Sequence, residues 1–295
     1  MLLFWRRFQQ RRLALAGLAV VLLFAAVGLL APIIAPFPSL ETDLSASAKS
    51  PSGNHWFGTD TLGRDILSEV LWGSRTTLLL ALTTIAASTA IGVVIGSLAG
   101  YFGGWLDFIL SRFIDMFLVI PRVLLAILLV AMLGSTSWNI VLALTVAFWP
   151  VTARLVRGEY ITFRQRQFVE AARATGAGHF TIMFREILPS AIPIILVTAT
   201  FLMSQAILSE AGLSFLGLAD PDNSSWGRMV FNAQRELRHA WWSAVFPGVA
   251  IVLVVLSLNL AGDGLNEVIN PKTARLHGKR PPKPADSPGG MSSPT

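Results

Sequence analysis

The feature that most limits how this chain can fold is the spacing of its charges. Five stretches, residues 13–40, 76–106, 123–153, 187–209 and 240–262, contain no Asp, Glu, Lys or Arg. A hydrocarbon core of about 30 Å is crossed by about 20 residues of helix, and every stretch reaches that length. The third is long enough to turn back on itself, and Gly134-Ser135-Thr136-Ser137 is the small polar cluster where it would turn. It divides into helices over about residues 113–133 and 138–156, which makes six spans. Composition agrees: 53% of residues are hydrophobic and 14% charged, where a soluble domain carries about 25% charged, and mean hydropathy is +0.61. These values exclude a disordered chain and argue against a soluble globular one. The expected fold is an all-α, polytopic membrane protein. The absence of cysteine excludes disulfides, thiolate metal sites and a cysteine nucleophile.

The first stretch exceeds the roughly 7–15 apolar residues of a signal peptide, and no clear small-x-small cleavage site follows it, so it reads as a retained anchor. Lys and Arg set the orientation. With the N-terminus inside, 17 of the 23 fall on the cytoplasmic side, among them Arg6, Arg7, Arg11, Arg12, Arg112 and Arg122. Lys49, Arg64, Arg75, Arg228, Arg235 and Arg238 fall outside. Both termini are then cytoplasmic, and the net charge of +6 describes topology, not a nucleic-acid footprint. Four regions result: a basic segment and first transmembrane helix (1–35), an extracytoplasmic segment (36–75), a five-helix core (76–266) and a tail (267–295). The core contains an inner loop over 157–190 and an outer segment over 213–239. The tail is rich in Pro, Lys, Ser and Gly and reads as disordered.

The inner loop differs from the other connections. Residues 162–175 lack Pro and Gly and read as a helix, which Gly176 and Gly178 interrupt. A second short helix over 179–188 stops at Pro189. Phe180, Met183, Phe184 and Ile187 recur at i, i+3, i+4 and i+7, one face of a helix. A basic hairpin with an aromatic knob fits a protein partner, and equally a hairpin lying on the inner membrane surface.

The string Glu170-Ala171-Ala172-Arg173-Ala174-Thr175-Gly176, ending at Ile187-Leu188-Pro189, resembles the EAA loop of bacterial ABC importer permeases. Glu186 stands at the usual Ile position, with Ile187 one place later. Residues 55–65, HWFGTDTLGRD, look like the signature that precedes the second span of the dipeptide/oligopeptide/nickel permeases. Ser214-Phe215-Leu216-Gly217-Leu218 with Ser225-Trp226-Gly227 is similar to their outer segment, and Gly262-Asp263-Gly264-Leu265 with Asn270-Pro271 to their ending, where Asn270 replaces the usual Asp. The resemblance runs over about residues 5–275, in order and on matching sides of the charge-derived topology, and points to the C-type subunit.

That resemblance implies a type I importer-like permease in the bacterial inner membrane. A homologous second permease, two cytoplasmic ATP-binding subunits and an extracytoplasmic solute-binding protein would be its partners. The chain has no G-x-x-x-x-G-K-[ST] phosphate loop, so ATP and Mg would be bound by the partner ATPases and no cofactor by this chain. Its task would be mechanical, with di- or oligopeptides as solute and nickel or a metal chelate as the alternative. The resemblance assigns ATPase coupling to Glu170, Ala171, Ala172, Gly176, Phe180, Phe184, Leu188 and Pro189. Glu210, the first charge after 23 uncharged residues, and Trp226 are candidates for an outer gate or a binding-protein contact.

Other residues read as structural. Arg112 and Asp115 are i, i+3 neighbours that can pair, as Glu170 can with Arg166 or Arg173. Asp60, Arg64 and Asp65 suit a salt-bridged turn. Gly92-x-x-x-Gly96-x-x-x-Gly100 is a small-residue face for close helix packing. His55, His179, His239 and His277 have no metal-ligand spacing. A secondary transporter would show inverted repeats and broken helices with buried charges, and an intramembrane enzyme a Ser–His pair, paired carboxylates or a His cluster. The sequence displays none of these.

Overall fold

The structure is a computed structural model that describes residues 11–269. The basic residues Arg6 and Arg7, Asn270-Pro271 and the tail beyond lie outside the described residues. Among the described residues ten α-helices follow in order: α1 (Arg12–Ile34), α2 (Ile66–Phe102), α3 (Gly104–Val119), α4 (Arg122–Leu133), α5 (Ser137–Phe163), α6 (Gln167–Ala174), α7 (His179–Thr181), α8 (Leu188–Phe215), α9 (Trp226–Ala233) and α10 (Trp242–Ile269). A π-helical turn, Ile182–Ile187, joins α7 to α8. Among the described residues, α1, α2, α5, α7 with α8, and α10 are each long and apolar enough to cross a bilayer.

The sixth span is there only if α3 and α4 count as one, and they meet at 84°. The continuous helix expected over 113–133 is therefore broken. Pro121 explains the break. It cannot donate a backbone hydrogen bond, and it holds the preceding residue out of the helical region. Ile120 accordingly sits at ψ 125°, and α4 restarts one residue after the proline.

The second span begins ten residues before the charge-free stretch does. Asp65 caps α2, its carboxylate accepting from the Ser68 amide at 2.8 Å, so part of the expected extracytoplasmic segment is helical. Glu69 is accommodated inside the helix by two hydrogen bonds: Leu40 N–H donates to its carboxylate at 2.7 Å and Ser224 Oγ at 2.5 Å. At its far end α2 stops where Gly103 adopts φ +69°.

Packing centres on α2 against α5. A Cβ added at Gly92, Gly96 or Gly100 would lie 2.6 Å from Thr152 Cβ, 2.4 Å from the Ala153 carbonyl oxygen and 2.6 Å from the Arg157 carbonyl oxygen respectively. The two backbones touch because these three positions carry no side chain, as the spacing implies. The main core joins Ile85, Ala143, Leu144, Ala147 and Phe148 with Leu202, Ile207, Trp226 and Val254. A second core, at the end of the bundle that carries the 157–190 loop, joins Tyr101, Val156 and Tyr160 with Val169, Ile182, Met183 and Ile187.

Candidate functional site

The 157–190 loop is a built object. Its second core holds it to α2 and α5. Tyr160 OH donates to the Met183 carbonyl at 2.9 Å, Tyr101 OH meets His179 Nδ1 at 3.0 Å, and Arg164 donates to the Gly100 carbonyl at 3.1 Å. The Arg173 guanidinium lies 5.9 Å from the Tyr101 ring centroid. Gly176 ends α6 at φ +81°, with nothing within 4 Å of an added Cβ. The glycine is thus required for its left-handed backbone and not for space. Gly178 has an ordinary φ of −69° as the residue before α7.

Two expectations about this loop need correction. The helix over 179–188 does not stop at Pro189. The Leu188 N–H reaches back to the Met183 carbonyl, an i→i−5 bond, and the chain runs on into α8. The wider π turn absorbs the donor that Pro189 lacks. Nor do the four apolar residues share a face. Met183 and Ile187 are fully buried, whereas Phe180 is 68% and Phe184 37% exposed. A π turn carries more residues than 3.6 per turn, so a pattern read at that period splits. Phe180 and Phe184 stack on each other outside, centroids 6.4 Å apart and planes within 7°. Glu170, Ala171 and Pro189 are also exposed, and Ala172 and Leu188 pack partly on the second core. Among the described residues Glu170 forms no ion pair with Arg166 or Arg173 within 4.0 Å.

Residues beside the loop pair differently from the local expectation. Asp107 takes Arg157, at 2.5 and 2.8 Å, and Asp115 takes Arg154, at 2.5 Å. Arg112 lies instead over the Phe108 ring, 5.4 Å from its centroid. The preference for α5 over i, i+3 pairing sews α3 onto that helix.

At the opposite end of the bundle the segments 35–65 and 216–241 interlock. His55 Nδ1 and Asp65 are 2.9 Å apart. Trp242 Nε1 donates to the Thr59 carbonyl at 3.0 Å, and Thr61 bonds Glu236 through both its amide and its hydroxyl. Asp60 accepts from the amides of Leu62 and Arg64 at 2.9 and 2.8 Å. Burial pushes its carboxyl above the usual range, and the Arg64 amide and guanidinium pull the other way. Asp220 accepts from Ser137 and Asn223. Burial raises that carboxyl, yet these hydrogen bonds and that of the Asp222 amide outweigh it, and its pKa ends below the usual value. The segment 55–65 is therefore a clamp that locks the start of α2 to the start of α10.

Glu210 and Trp226 sit within this network and offer no surface to a docked protein. Trp226 is 0% exposed. Its Nε1 donates to the Val70 carbonyl at 3.0 Å, its amide to Thr77 Oγ1 at 3.2 Å, and Phe24 meets its ring edge-on at 5.5 Å. In this arrangement it is a packing anchor, with no exposed surface of its own. Glu210 is 3% exposed and accepts from Ser214 Oγ at 2.9 Å and Ser225 Oγ at 2.8 Å. It fastens the outer segment to α8. A groove of about 600 Å³ opens nearby between α2, α5 and the outer segment, lined among others by Trp72, Arg75, Trp138 and Asp222.

One residue that charge counting placed on the cytoplasmic side lies elsewhere. Arg122 follows Pro121 at the break of the third span, and its guanidinium donates to Gln205 on α8 at 2.7 Å and lies 5.2 Å from the Phe148 centroid on α5. The signal available was a proline and an arginine inside an otherwise apolar run.

Comparison with known proteins accounts for this arrangement. Residues 92–275 match the family described as the binding-protein-dependent transport system inner membrane component, and residues 1–51 the N-terminal transmembrane domain of oligopeptide transport permease C. The chain is 37% identical to the dipeptide transport system permease protein DppC of Alkalihalophilus pseudofirmus, over 91% of this chain and 88% of the relative. It is 40% identical to the glutathione transport system permease protein GsiD of Pectobacterium atrosepticum, over 91% and 90%. An inward-facing structure of the MetNI methionine ABC transporter superposes with a TM-score of 0.57 at 21% identity, covering 69% of this chain and 97% of that one, and this shows the shared fold. The chain belongs to the permeases of binding-protein-dependent ABC importers, in their oligopeptide-type branch, and is a multi-pass inner-membrane subunit of such a transporter.

Proposed function

We propose that this permease imports di- or oligopeptides, paired with a homologous second permease, with both termini cytoplasmic and one ATP-binding subunit docked on its 157–190 loop. A second ATP-binding subunit serves the other permease, and a solute-binding protein delivers from the opposite side. The division of basic residues, 16 to 6 once Arg122 is set aside, supports the orientation. Peptide and glutathione in the relatives' names favour peptides over nickel.

The observation that carries the coupling reading is the continuity from exposed to buried. Phe180 and Phe184 stand out on a short helix whose other side is packed against α2 and α5 and whose end runs without interruption into α8. Docking of such a helix in a groove is a recurrent mode of recognition. A push on the aromatic pair is delivered along α8 to Glu210 and, through Ser225, to the outer segment. ATP binding and hydrolysis in the partner subunits then bias two arrangements of the path. Hydrolysis, ATP and Mg belong to those subunits, and this chain contributes no cofactor site.

The test is uptake by the complete assembly in proteoliposomes with ATP enclosed and binding protein outside. Labelled dipeptide should accumulate with ATP and not with a non-hydrolysable analogue. Accumulation driven by an ion gradient without ATP would point to the secondary-transporter alternative and end this reading.

A further inference from the structure

Arg122 is out of place for a lipid-facing residue. Its ring partner Phe148 lies eleven residues into α5 and fifteen from its other end, about 16 and 22 Å at 1.5 Å per residue. Its hydrogen-bond partner Gln205 lies ten residues from the end of α8, about 15 Å by the same rise. The guanidinium therefore sits near mid-depth of a core about 30 Å thick. It has no carboxylate partner among the described residues, and a lone cation there is costly against lipid.

The backbone makes the same point independently. The first hydrogen bond of α4 is Leu125 N–H to the Pro121 carbonyl. The amides of Arg122, Val123 and Leu124 precede it and have no helical partner. Pro121 is exposed, Val123 is 46% and Leu124 59% exposed. Non-helical backbone is tolerated at membrane depth only where it is covered by protein or lines water. A lone cation and unpaired amides both exclude lipid from this face, which leaves a partner subunit or the water-filled path against it.

The chemistry left open is that of an anion receptor. One N–H of Arg122 is used by Gln205, and the planar fork that remains suits two parallel bonds to a carboxylate. The Gln205 amide nitrogen stands beside it as a further donor, without a partner among the described residues. Phe148 backs the guanidinium and holds it in place. Resting on the peptide-import reading above, we propose that Arg122 with Gln205 binds the carboxylate of the solute in transit, the C-terminus of a peptide, at mid-membrane.

The assembled permease pair with its ATP-binding subunits, in lipid nanodiscs, tests this. This chain has no cysteine, so Val123→Cys gives it a single thiol, and the parent assembly is the blank for partner thiols. A sulfonated, membrane-impermeant thiosulfonate should label the variant. Millimolar dialanine should slow labelling at least tenfold and dialanine amide should not. Adding Arg122→Gln should leave labelling intact and abolish that protection. Lack of labelling, equal protection by acid and amide, or protection that survives Arg122→Gln would overturn the proposal. Should Arg122 pair with a carboxylate of the second permease, Arg122→Gln would release that subunit on extraction and leave acid-specific protection unchanged, which also overturns it. ATP-driven dipeptide uptake by the parent, measured alongside, separates the two readings. Uptake without acid-specific protection sinks only the Arg122 site, and protection without ATP-driven uptake sinks only the import reading.

Discussion

Gly96→Ala puts one methyl group into the closest of the three glycine contacts between α2 and α5. The new Cβ would stand 2.4 Å from the Ala153 carbonyl oxygen, 2.9 Å from Val156 Cβ and 3.1 Å from the Arg157 amide. Two of these three atoms are backbone, so no side chain can swing aside. Ordinary contact requires α2 and α5 to separate by about 1 Å, and overpacking of this kind costs roughly 1–3 kcal/mol. Separation also disturbs Gly92 and Gly100 one turn away on each side, which puts the effect toward the upper end. At roughly 2–4 °C per kcal/mol for a chain of this size, melting should fall by about 4–10 °C. The assay is thermal unfolding in detergent, followed by loss of the monodisperse chromatographic peak. Gly248→Ala on α10 is the matched control: nothing lies within 4 Å of its added Cβ, and alanine gains about 0.5–1 kcal/mol in a helix. A Gly96→Ala protein that melts with the parent, or above Gly248→Ala, would refute the close-contact argument.

Two further outcomes follow from the other end of the bundle. Trp226→Ala should cost about 3–5 kcal/mol and abolish recovery of folded protein from membranes, while Trp226→Phe keeps most of the packing, loses the bond to Val70 and should be recovered with lowered melting. Asp220 carries a depressed pKa, so its stabilisation is complete above the ordinary value and is lost as pH falls through the folded one. Asp220→Asn should therefore melt below the parent at pH 7, with the gap closing below about pH 4, and a gap independent of pH would contradict this.

How far the sequence announces all this depends on range. Signals carried by neighbours on one helix were legible: the Gly92, Gly96 and Gly100 face, and the helix–glycine–helix order of the loop. Signals that depend on distant partners were not. Glu69 falls in the segment read as extracytoplasmic, because its hydrogen-bond donors, Leu40 and Ser224, are 29 and 155 residues away. Asp115 reads as the partner of Arg112, since nothing local shows that Arg154 is nearer. The π turn before Pro189 shifts the phase at which Phe180 and Met183 part, and a fixed 3.6 period cannot follow it. Trp226 reads as a gate or contact candidate because it lies in an outer motif, whereas the burial that makes it an anchor comes from α1 and α2. Arg122 is counted on the cytoplasmic side although the helix read over 113–133 contains it, and only the fold shows the break at Pro121 and the partners Gln205 and Phe148.

The central claim is that the aromatic pair on the 157–190 loop joins this permease to an ATP-binding subunit, and co-purification measures it most directly. Phe102 is a poor control, since its ring lies 5.8 Å from His179 at the base of the pair; Trp105, 80% exposed at the same end, is the better one. Truncating a buried anchor costs roughly 2–4 kcal/mol, which is about 30- to 900-fold in affinity. Phe180→Ala with Phe184→Ala should leave the permease in the membrane, and its ATP-binding subunits should be lost on detergent extraction while Trp105→Ala retains them. Retention of those subunits by the double variant, at the level of the parent, would contradict the account.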